Sequence, residues 1–516
     1  MNGAECLLRT LLVNGIDTCL MNPGTSEMQF VSALDRVPGM RGVLCLFEGV
    51  CSGAADGYAR MRRRPAATLL HLGPGLGNAL ANLHNARKAF SPVLNIVGEH
   101  TTAHLEHDAP LTADIEAFAR TVSGYVRTVA SAPEMGPAAA SSIAAAYGPP
   151  GQVSTLIVPA DHSWNESGEP GAAVPIPAPL AWDAGCVREA ARALGSRQPV
   201  AFMLGGSAVL SRGLEAAGKL NAATGARVFA SRYAARLERG SGLFAPPRMA
   251  YFPEMARPML AGLKHLYLIE SQPPVSFFGY PCSPSSMVPE DCRVEVLAPI
   301  GSDGAGALEA LLEACGATRT RPSVTEAPRP ELPAGAALTP DTIGQALAAL
   351  MPEHAILSDE MVSAGEIISR HLRGAARHDH LPVTGGSIGQ GLPVAVGAAL
   401  ACPDRKVIAM EADGSGMYTP QSLWTMARER LDVVTVILAN RRYRILDIEM
   451  QRTGAGEVGP AANEMIYIGR PTLDWVKISA GMGVRAARVT TADEFIAELR
   501  DAVSRPGPAL IEAVID

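Results

Sequence analysis

No block of like charge appears in the 516-residue sequence: 44 Lys and Arg stand against 51 Asp and Glu, for a net charge of −7. Without a basic patch, neither nucleic acid nor an anionic membrane suits it as a principal partner. Nor does any run approach the roughly 20 apolar residues that a helix needs to cross a bilayer. The first twenty residues carry Glu5, Arg9 and Asp17, unlike the apolar core of a signal peptide. The cysteines at 6, 19, 45, 51, 186, 282, 292, 315 and 402 form no CxxC pair. Scattered in this way, they read as small buried hydrophobes of a reducing compartment, not as a disulfide frame or a zinc site. Low-complexity tracts and short tandem repeats are missing as well. These absences predict a soluble, cytoplasmic chain, and at roughly 100–200 residues per domain it has room for several.

Two stretches interrupt the apolar patterning, ESGEPGAAVPIPAPL (Glu166 to Leu180) and ATRTRPSVTEAPRPELPAGAALTP (Ala317 to Pro340). Proline fixes φ and removes a backbone donor, so both read as linkers. They divide the chain into units 1–170, 181–320 and 338–516. Each unit alternates short aliphatic runs (AATLL and VLNIV in the first, PVAFML and LYLI in the second, KVIAM and VVTVIL in the third) with longer amphipathic ones. Such runs are too short for helices, and they predict strands of parallel sheets covered on both faces. The expectation is three doubly wound α/β domains, with ligands beyond the carboxyl ends of the strands.

In the third unit, KVIAM-EADGSG-MYTPQSLWTMARER-LDVVTVILAN reads as strand, turn, helix and strand, with Thr419 capping the helix and Pro420 at its first position. Asp413 and Asn440, 27 residues apart, then fall at two strand ends. A carboxylate and an amide oxygen so placed are hard ligands of the kind Mg²⁺ takes alongside phosphate. Gly414 and Gly416 would let backbone N–H groups approach that phosphate. The alternative is that Asp413 and Asn440 only shape turns.

DGS followed by N-x-x-Y resembles the signature of thiamine diphosphate (ThDP) enzymes. The resemblance implies that Asp413, Asn440 and the Arg442 carbonyl hold Mg²⁺ against the cofactor diphosphate, with Gly414 and Ser415 in the binding turn. One departure is Ala412, where the family usually has glycine, and its methyl is expected to crowd the loop. GGSIGQGLPVAVGAAL (Gly385 to Leu400) resembles the segment supporting the bent cofactor. By that resemblance Ile388 presses the two cofactor rings together and the Gly386 carbonyl receives the pyrimidine amino group. Ser363, in the loop after AILSDE, is the hydroxyl suited to a second diphosphate contact.

In the first unit, LCLFEGVCSGAADGYAR places Glu48 at the end of a predicted strand, where desolvation disfavours a charged carboxylate. A plain salt bridge is the alternative. The string resembles the ThDP family motif whose glutamate contacts the pyrimidine nitrogen and activates the cofactor. Over nearly its whole length the chain is therefore similar to the ThDP-dependent 2-oxo acid decarboxylase and acetolactate synthase superfamily. That similarity implies pyrimidine-binding, central and diphosphate-binding domains in this order, and a homodimer or homotetramer whose active sites form between subunits.

NPGTSE (Asn22 to Glu27) resembles the benzoylformate decarboxylase loop, with Thr25 in place of a substrate-binding serine, and His71 matches a catalytic histidine there. A second histidine expected near SFFGYP is missing, and Phe277, Phe278 and Tyr280 are expected to line an apolar pocket instead. GPGLGN (Gly73 to Asn78) resembles the acetolactate synthase loop, but Glu99 stands where a glutamine is usual. His100, His104 and His107 with Asp108 suggest either a metal cluster or polar contacts of a substrate-side loop. FAD is possible but not favoured, since the central unit shows no dedicated flavin motif. The resemblance implies decarboxylation of a 2-oxo acid, ending in aldehyde release or carboligation to a 2-hydroxy ketone. A non-catalytic ThDP-binding paralogue is the alternative that Ala412, Glu99 and the missing histidine suggest. A nicotinamide dehydrogenase fits poorly, because GPGLGN does not meet GxGxxG.

Overall fold

The computed structural model describes residues 1–281 and 283–515, so Cys282 lies outside the described residues. Three sheets organise the chain. The first contains β1 (Thr18–Asn22), β2 (Arg41–Leu44), β3 (Ala66–Leu70), β4 (Val93–Glu99), β5 (Tyr125–Thr128) and β6 (Val153–Pro159) in the order β2-β1-β3-β4-β6-β5. The second is built from β7 (Val200–Leu204), β8 (Arg227–Ala230), β10 (His265–Ile269) and β11 (Arg293–Ala298), in the order β11-β10-β7-β8. In both, every strand pair is parallel.

The third sheet holds β12 (Ala355–Glu360), β13 (His378–Pro382), β14 (Val407–Ala412), β15 (Val433–Ala439), β16 (Arg485–Val489) and β17 (Ala509–Val514). Its edge is β9 (Leu237–Arg239), contributed from between β8 and β10, which pairs antiparallel with β13. This one antiparallel edge departs from the all-parallel expectation, and it stitches the middle of the chain to the last sheet.

The apolar runs work as anticipated because alternate side chains point to opposite faces. In the first sheet, Leu20, Leu70, Val93 and Ile157 enter one core, while Cys19, Met21, Leu69 and Ile96 enter another on the far side. The first of these cores continues through the helices Glu48–Arg62 and Gly391–Ala401 into Val407, Val433 and Ile437 of the third sheet. The two helices cross at glycines. A Cβ on Gly57 would lie 2.2 Å from the Val394 carbonyl, and one on Gly397 would lie 1.9 Å from that of Ala54. Of the described cysteines, 6, 19, 45, 51 and 186 are buried, 292, 315 and 402 are half-buried, and all are free. Among the described residues no helix is long and apolar enough to cross a membrane.

A buried ion pair reinforces that crossing. Arg60 donates to both carboxylate oxygens of Asp56, at 2.8 and 2.6 Å, and both side chains are essentially inaccessible to solvent. Asp56 also accepts from Ser91 Oγ at 2.5 Å and from Gln390 Nε2 at 2.7 Å. Arg60 donates further to the Pro382 carbonyl and the Thr384 hydroxyl of the third unit. The AADGYAR string is thus the joint between first and last sheets. Arg60→Met would strand the Asp56 carboxylate without its cation. We expect a stability loss of about 3–5 kcal/mol, read as a lowered urea midpoint relative to the parent protein.

Candidate active site

Asp413 follows the last residue of β14 and opens the single-turn helix Asp413–Gly416, while Asn440 follows β15, the neighbouring strand. The Asp413 carboxylate is 3% exposed, and among the described residues it forms no ion pair, the Arg441 charge acting on it only weakly. Its oxygens accept only the backbone N–H groups of Gly414 (2.9 Å) and Arg441 (2.6 Å). Burial pushes its pKa up to about 6. Asn440 Oδ1 accepts the Arg442 N–H at 3.0 Å, and the Arg442 guanidinium is committed to Asp447 and Asn463. A buried carboxylate outside any described ion pair, beside an amide oxygen, suits a divalent ion.

Ala412 adopts ordinary extended backbone, with a φ of −80° and a ψ of 145°. Gly414 and Gly416 meet a different demand from the one anticipated. A Cβ on Gly414 would lie 2.4 Å from the Tyr443 ring, and one on Gly416 would lie 2.9 Å from Trp475. Ser415 is buried between them. The next helix begins at Gln421 with Pro420 as its cap residue, so the expected Thr419 cap is not made. The Thr419 hydroxyl instead donates to the Gly389 carbonyl at 3.0 Å, and that bond supports the neighbouring loop.

The Gly385–Gly391 loop is held from three sides. The helix Leu72–Ala89 supplies Asn82 to the Gly389 carbonyl (3.2 Å), His84 to that of Gly385 (3.1 Å) and Asn85 to that of Ser387 (2.8 Å). From below, Glu360 accepts the N–H groups of Gly389 and Gly391 at 2.7 and 2.5 Å. Glu360 lies opposite Glu411 in the β12–β14 register, and burial raises the pKa of both. Gly386 adopts a φ of +78° and is exposed, and Ile388 above it is half-buried. Ser363 sits half-buried in the turn Val362–Ala364 beyond β12.

Glu48 is not at a strand end as expected. β2 closes at Leu44, and Glu48 is the first residue of the helix Glu48–Arg62, at its positive pole. It is 6% exposed, and Oε2 accepts the Asn78 amide at 3.0 Å. Instead of the salt bridge considered as an alternative, a neutral amide is its described hydrogen-bond partner.

His71 caps the helix Leu72–Ala89, and its ring lies so close to Gly24 that a Cβ there would come within 2.2 Å. Its Nδ1 is 2.8 Å from Oε2 of Glu27, a residue that sequence reasoning passed over. Glu27 also accepts the Gly24 N–H at 2.7 Å, and burial raises its pKa against the pull of His71. Thr25, proposed as a substrate contact, is exposed on the same short turn, and Ser26 is the hydroxyl nearer His71, at 3.5 Å. The capping-box spacing of Gly24 to Glu27 was the available signal for the missed acid. Glu99 lies buried at the end of β4, accepting the His100 N–H at 2.8 Å. The His104 ring lies 5.1 Å from that of His100 at a tilt and 5.7 Å from that of His107 edge-on, and among the described residues no group of three or more His, Cys, Asp or Glu could hold a metal. The metal-cluster reading of these histidines is therefore set aside.

The segment after β10 reaches this region from the middle of the chain. The Phe277 ring covers Gly386, where a Cβ would lie 2.3 Å away, and packs on Phe278 and Tyr251. Tyr280 donates to Glu449 at 3.1 Å. A cleft of about 440 Å³ lies elsewhere, between the first and second sheets, and is lined by Arg63, Tyr147, Tyr233 and Glu270 among others. None of the residues proposed for catalysis lines it.

Comparison with known proteins places these elements in context. Residues 1–118 match the profile of the thiamine pyrophosphate enzyme N-terminal TPP binding domain, and residues 366–513 match that of the C-terminal TPP binding domain. IlvX of Mycobacterium tuberculosis, which goes by the name of an acetolactate synthase large subunit, is 51% identical over 100% of this chain and 99% of its own. Benzoylformate decarboxylase of Pseudomonas aeruginosa is 29% identical over 97% of this chain and 96% of its own. Among solved structures, the ThDP-dependent 4-hydroxybenzoylformate decarboxylase of Rhodococcus jostii RHA1 superposes with a TM-score of 0.84, covering 100% of both chains at 24% identity. That likeness shows the three-sheet fold.

The buried Glu27 carboxyl gives a pH test. With its folded pKa raised above 4.5, the native state binds that proton more tightly than the unfolded chain does. This contribution to stability is complete below about pH 4.5 and is lost as pH rises through the folded pKa. Glu27→Gln should flatten that part of the profile, as measured by urea unfolding across a pH series.

Proposed function

Since the chain belongs to the thiamine pyrophosphate enzymes, we propose that it uses ThDP and Mg²⁺ to decarboxylate a 2-oxo acid, then releases an aldehyde or joins the fragment to a second carbonyl. The observation that carries this is the buried Asp413 carboxylate outside any described ion pair, set beside the Asn440 oxygen at the next strand end. Asp413, Asn440 and the Arg442 carbonyl would hold Mg²⁺, and Gly414 and Ser415 would lie against the diphosphate. Ser363 would add a hydroxyl from the neighbouring turn. Ile388 and Gly386, fixed by their anchored loop, would shape the seat of the rings. When bound, the cofactor supplies a carbon nucleophile and an electron sink for the departing carboxylate.

The chain's own residues manage position and protons. Glu48, held by Asn78 at a helix N-terminus, would hold a proton at the pyrimidine nitrogen. The His71–Glu27 couple would move a proton at the substrate oxygen, since the acid orients the ring from Nδ1 and leaves Nε2 to act. Thr25 would offer its hydroxyl to the substrate from the same turn. Phe277 and Phe278, over Gly386, would keep water from the reacting end.

The domain limits 1–170, 181–320 and 338–516 belong to this reading, as does a homodimer or homotetramer with active sites between subunits. Exposed hydrophobics beside both half-sites support that assembly: Leu46 next to Glu48, and Tyr418 and Leu446 near the anchored loop. A cytoplasmic setting suits the free cysteines. Against the non-catalytic alternative stand the ordinary extended backbone at Ala412 and the presence of Glu48, His71, Asp413 and Asn440 together.

Glu48→Gln should lower kcat on any accepted 2-oxo acid by about 10²–10⁴-fold while ThDP affinity, titrated by fluorescence with Mg²⁺ present, changes little. Near-parental turnover would exclude the assigned role. In contrast, Asp413→Asn should weaken Mg²⁺-dependent ThDP binding by at least about tenfold, comparable to losses at other ligand shells, with equilibrium dialysis as the check. Incubating holoprotein with pyruvate, benzoylformate and related acids, and scoring CO₂ and 2-hydroxy ketones separately, tests the reaction itself.

A further inference from the structure

The second sheet has its topological switch point at β7, which is flanked by β8 on one side and β10 on the other. In open α/β sheets the crevice beyond such strand ends takes ligands, commonly through a phosphate on backbone N–H groups. The local construction has that character. β7 runs into Gly205, Gly206 and Ser207, and the eleven-residue helix Gly304–Ala314 points its N-terminus at the same spot.

The cradle is filled from within. Glu270, the residue after β10, folds back with a φ of +48° and is only 9% exposed. Its Oε2 accepts the Ser207 N–H at 2.6 Å, the Ser207 hydroxyl at 2.5 Å and the Gly304 N–H at 3.2 Å. Ser207 Oγ in turn accepts the Ala305 N–H at 3.2 Å. Three glycines make the room. A Cβ on Gly206 would lie 2.4 Å from the Glu270 carboxyl, one on Gly304 would lie 2.6 Å from Oε2, and one on Gly205 would lie 2.2 Å from the Glu270 carbonyl. This converging set of donors is what a phosphate would otherwise engage.

We propose that Glu270 is a built-in replacement for a phosphate, which closes the anion seat of the middle domain, so that the adjoining cleft takes no dinucleotide and the enzyme works without flavin. The cleft of about 440 Å³ has room for part of such a ligand, and Glu270, Gly206 and Arg63 line it. A pyrophosphate entering there would meet a fixed carboxylate in place of free N–H groups. The inference stands on the middle sheet alone and holds whichever substrate the catalytic site accepts.

The test uses the full-length protein. Purified material is expected to show no flavin absorbance, and calorimetric titration with FAD or ADP should give no binding heat. Glu270→Gly, which suits the positive φ, should lower the melting temperature and make it responsive to inorganic phosphate. A rise of at least about 2 °C is expected at saturating phosphate against chloride of equal ionic strength, with no such rise in the parent. Stoichiometric FAD or ADP binding by the parent would overturn the proposal. So would a folded Glu270→Gly variant indifferent to phosphate. Should that variant fail to fold, Glu270→Gln keeps the question open to measurement, because the proposal requires this neutral isostere to melt lower than the parent. A melting temperature equal to the parent's would show that the charge in the seat is dispensable.

Discussion

The buried Asp56–Arg60 pair is the interaction on which the remaining architecture depends. It lies where the first and third sheets share a core, and removing two charges from water there is tolerable only because every lobe of both groups is met. Asp56 gathers Arg60, Ser91 and Gln390, while Arg60 reaches Pro382 and Thr384. Because Gln390 and Thr384 flank the Gly385–Gly391 loop, the same pair that joins the sheets also sets the height of the proposed cofactor seat. Rigidity at that seat is therefore inherited from a salt bridge about two to three helical turns beyond Glu48.

Glycine serves this arrangement by absence of a side chain. Gly57 and Gly397 let two helices touch backbone to backbone, Gly24 admits the His71 ring, and Gly386 makes room for the tip of the Phe277 ring. In each case the neighbour that needs the space is distant in sequence. That distance explains what could and could not be read in advance. The strands were legible because short apolar runs alternate between two cores, and Asp413 and Asn440 were legible because strand ends are marked by the residues that follow. Glu48 was misplaced by one element, since an apolar run continuing through Cys45 and Phe47 conceals the break after Leu44. Thr419 has the right identity and position for a cap, yet a carbonyl 30 residues away takes its hydroxyl.

The roles of Glu27 and Glu270 were hidden for a related reason. Neither has a motif of its own, because each is defined by the group it meets: His71 across 44 residues for one, and Ser207 and Gly304 for the other. β9 was hidden because three residues are too few to carry a period, and its partner β13 lies in another unit. The aromatic segment after β10 was recognised only as lacking a histidine. Its positive content, a ring tip set against Gly386, required the fold.

A common placement links Glu27, Glu270, Glu360, Glu411 and Asp413, which are buried at or within a few residues of the carboxyl end of a strand and have different surroundings, while Asp56 is buried inside a helix. Glu27 has a histidine, Glu270 has a hydroxyl and helix N–H groups, and Glu360 has two loop N–H groups while lying across from Glu411. Asp56 has an arginine. Asp413 accepts two backbone N–H groups, while the next strand end presents it with the oxygen-bearing side chain of Asn440. An acid so placed lowers the stability of the chain at neutral pH unless a cation arrives from outside. The Asp413 and Asn440 oxygens, brought together at neighbouring strand ends, are therefore where the proposed Mg²⁺ would relieve a buried charge.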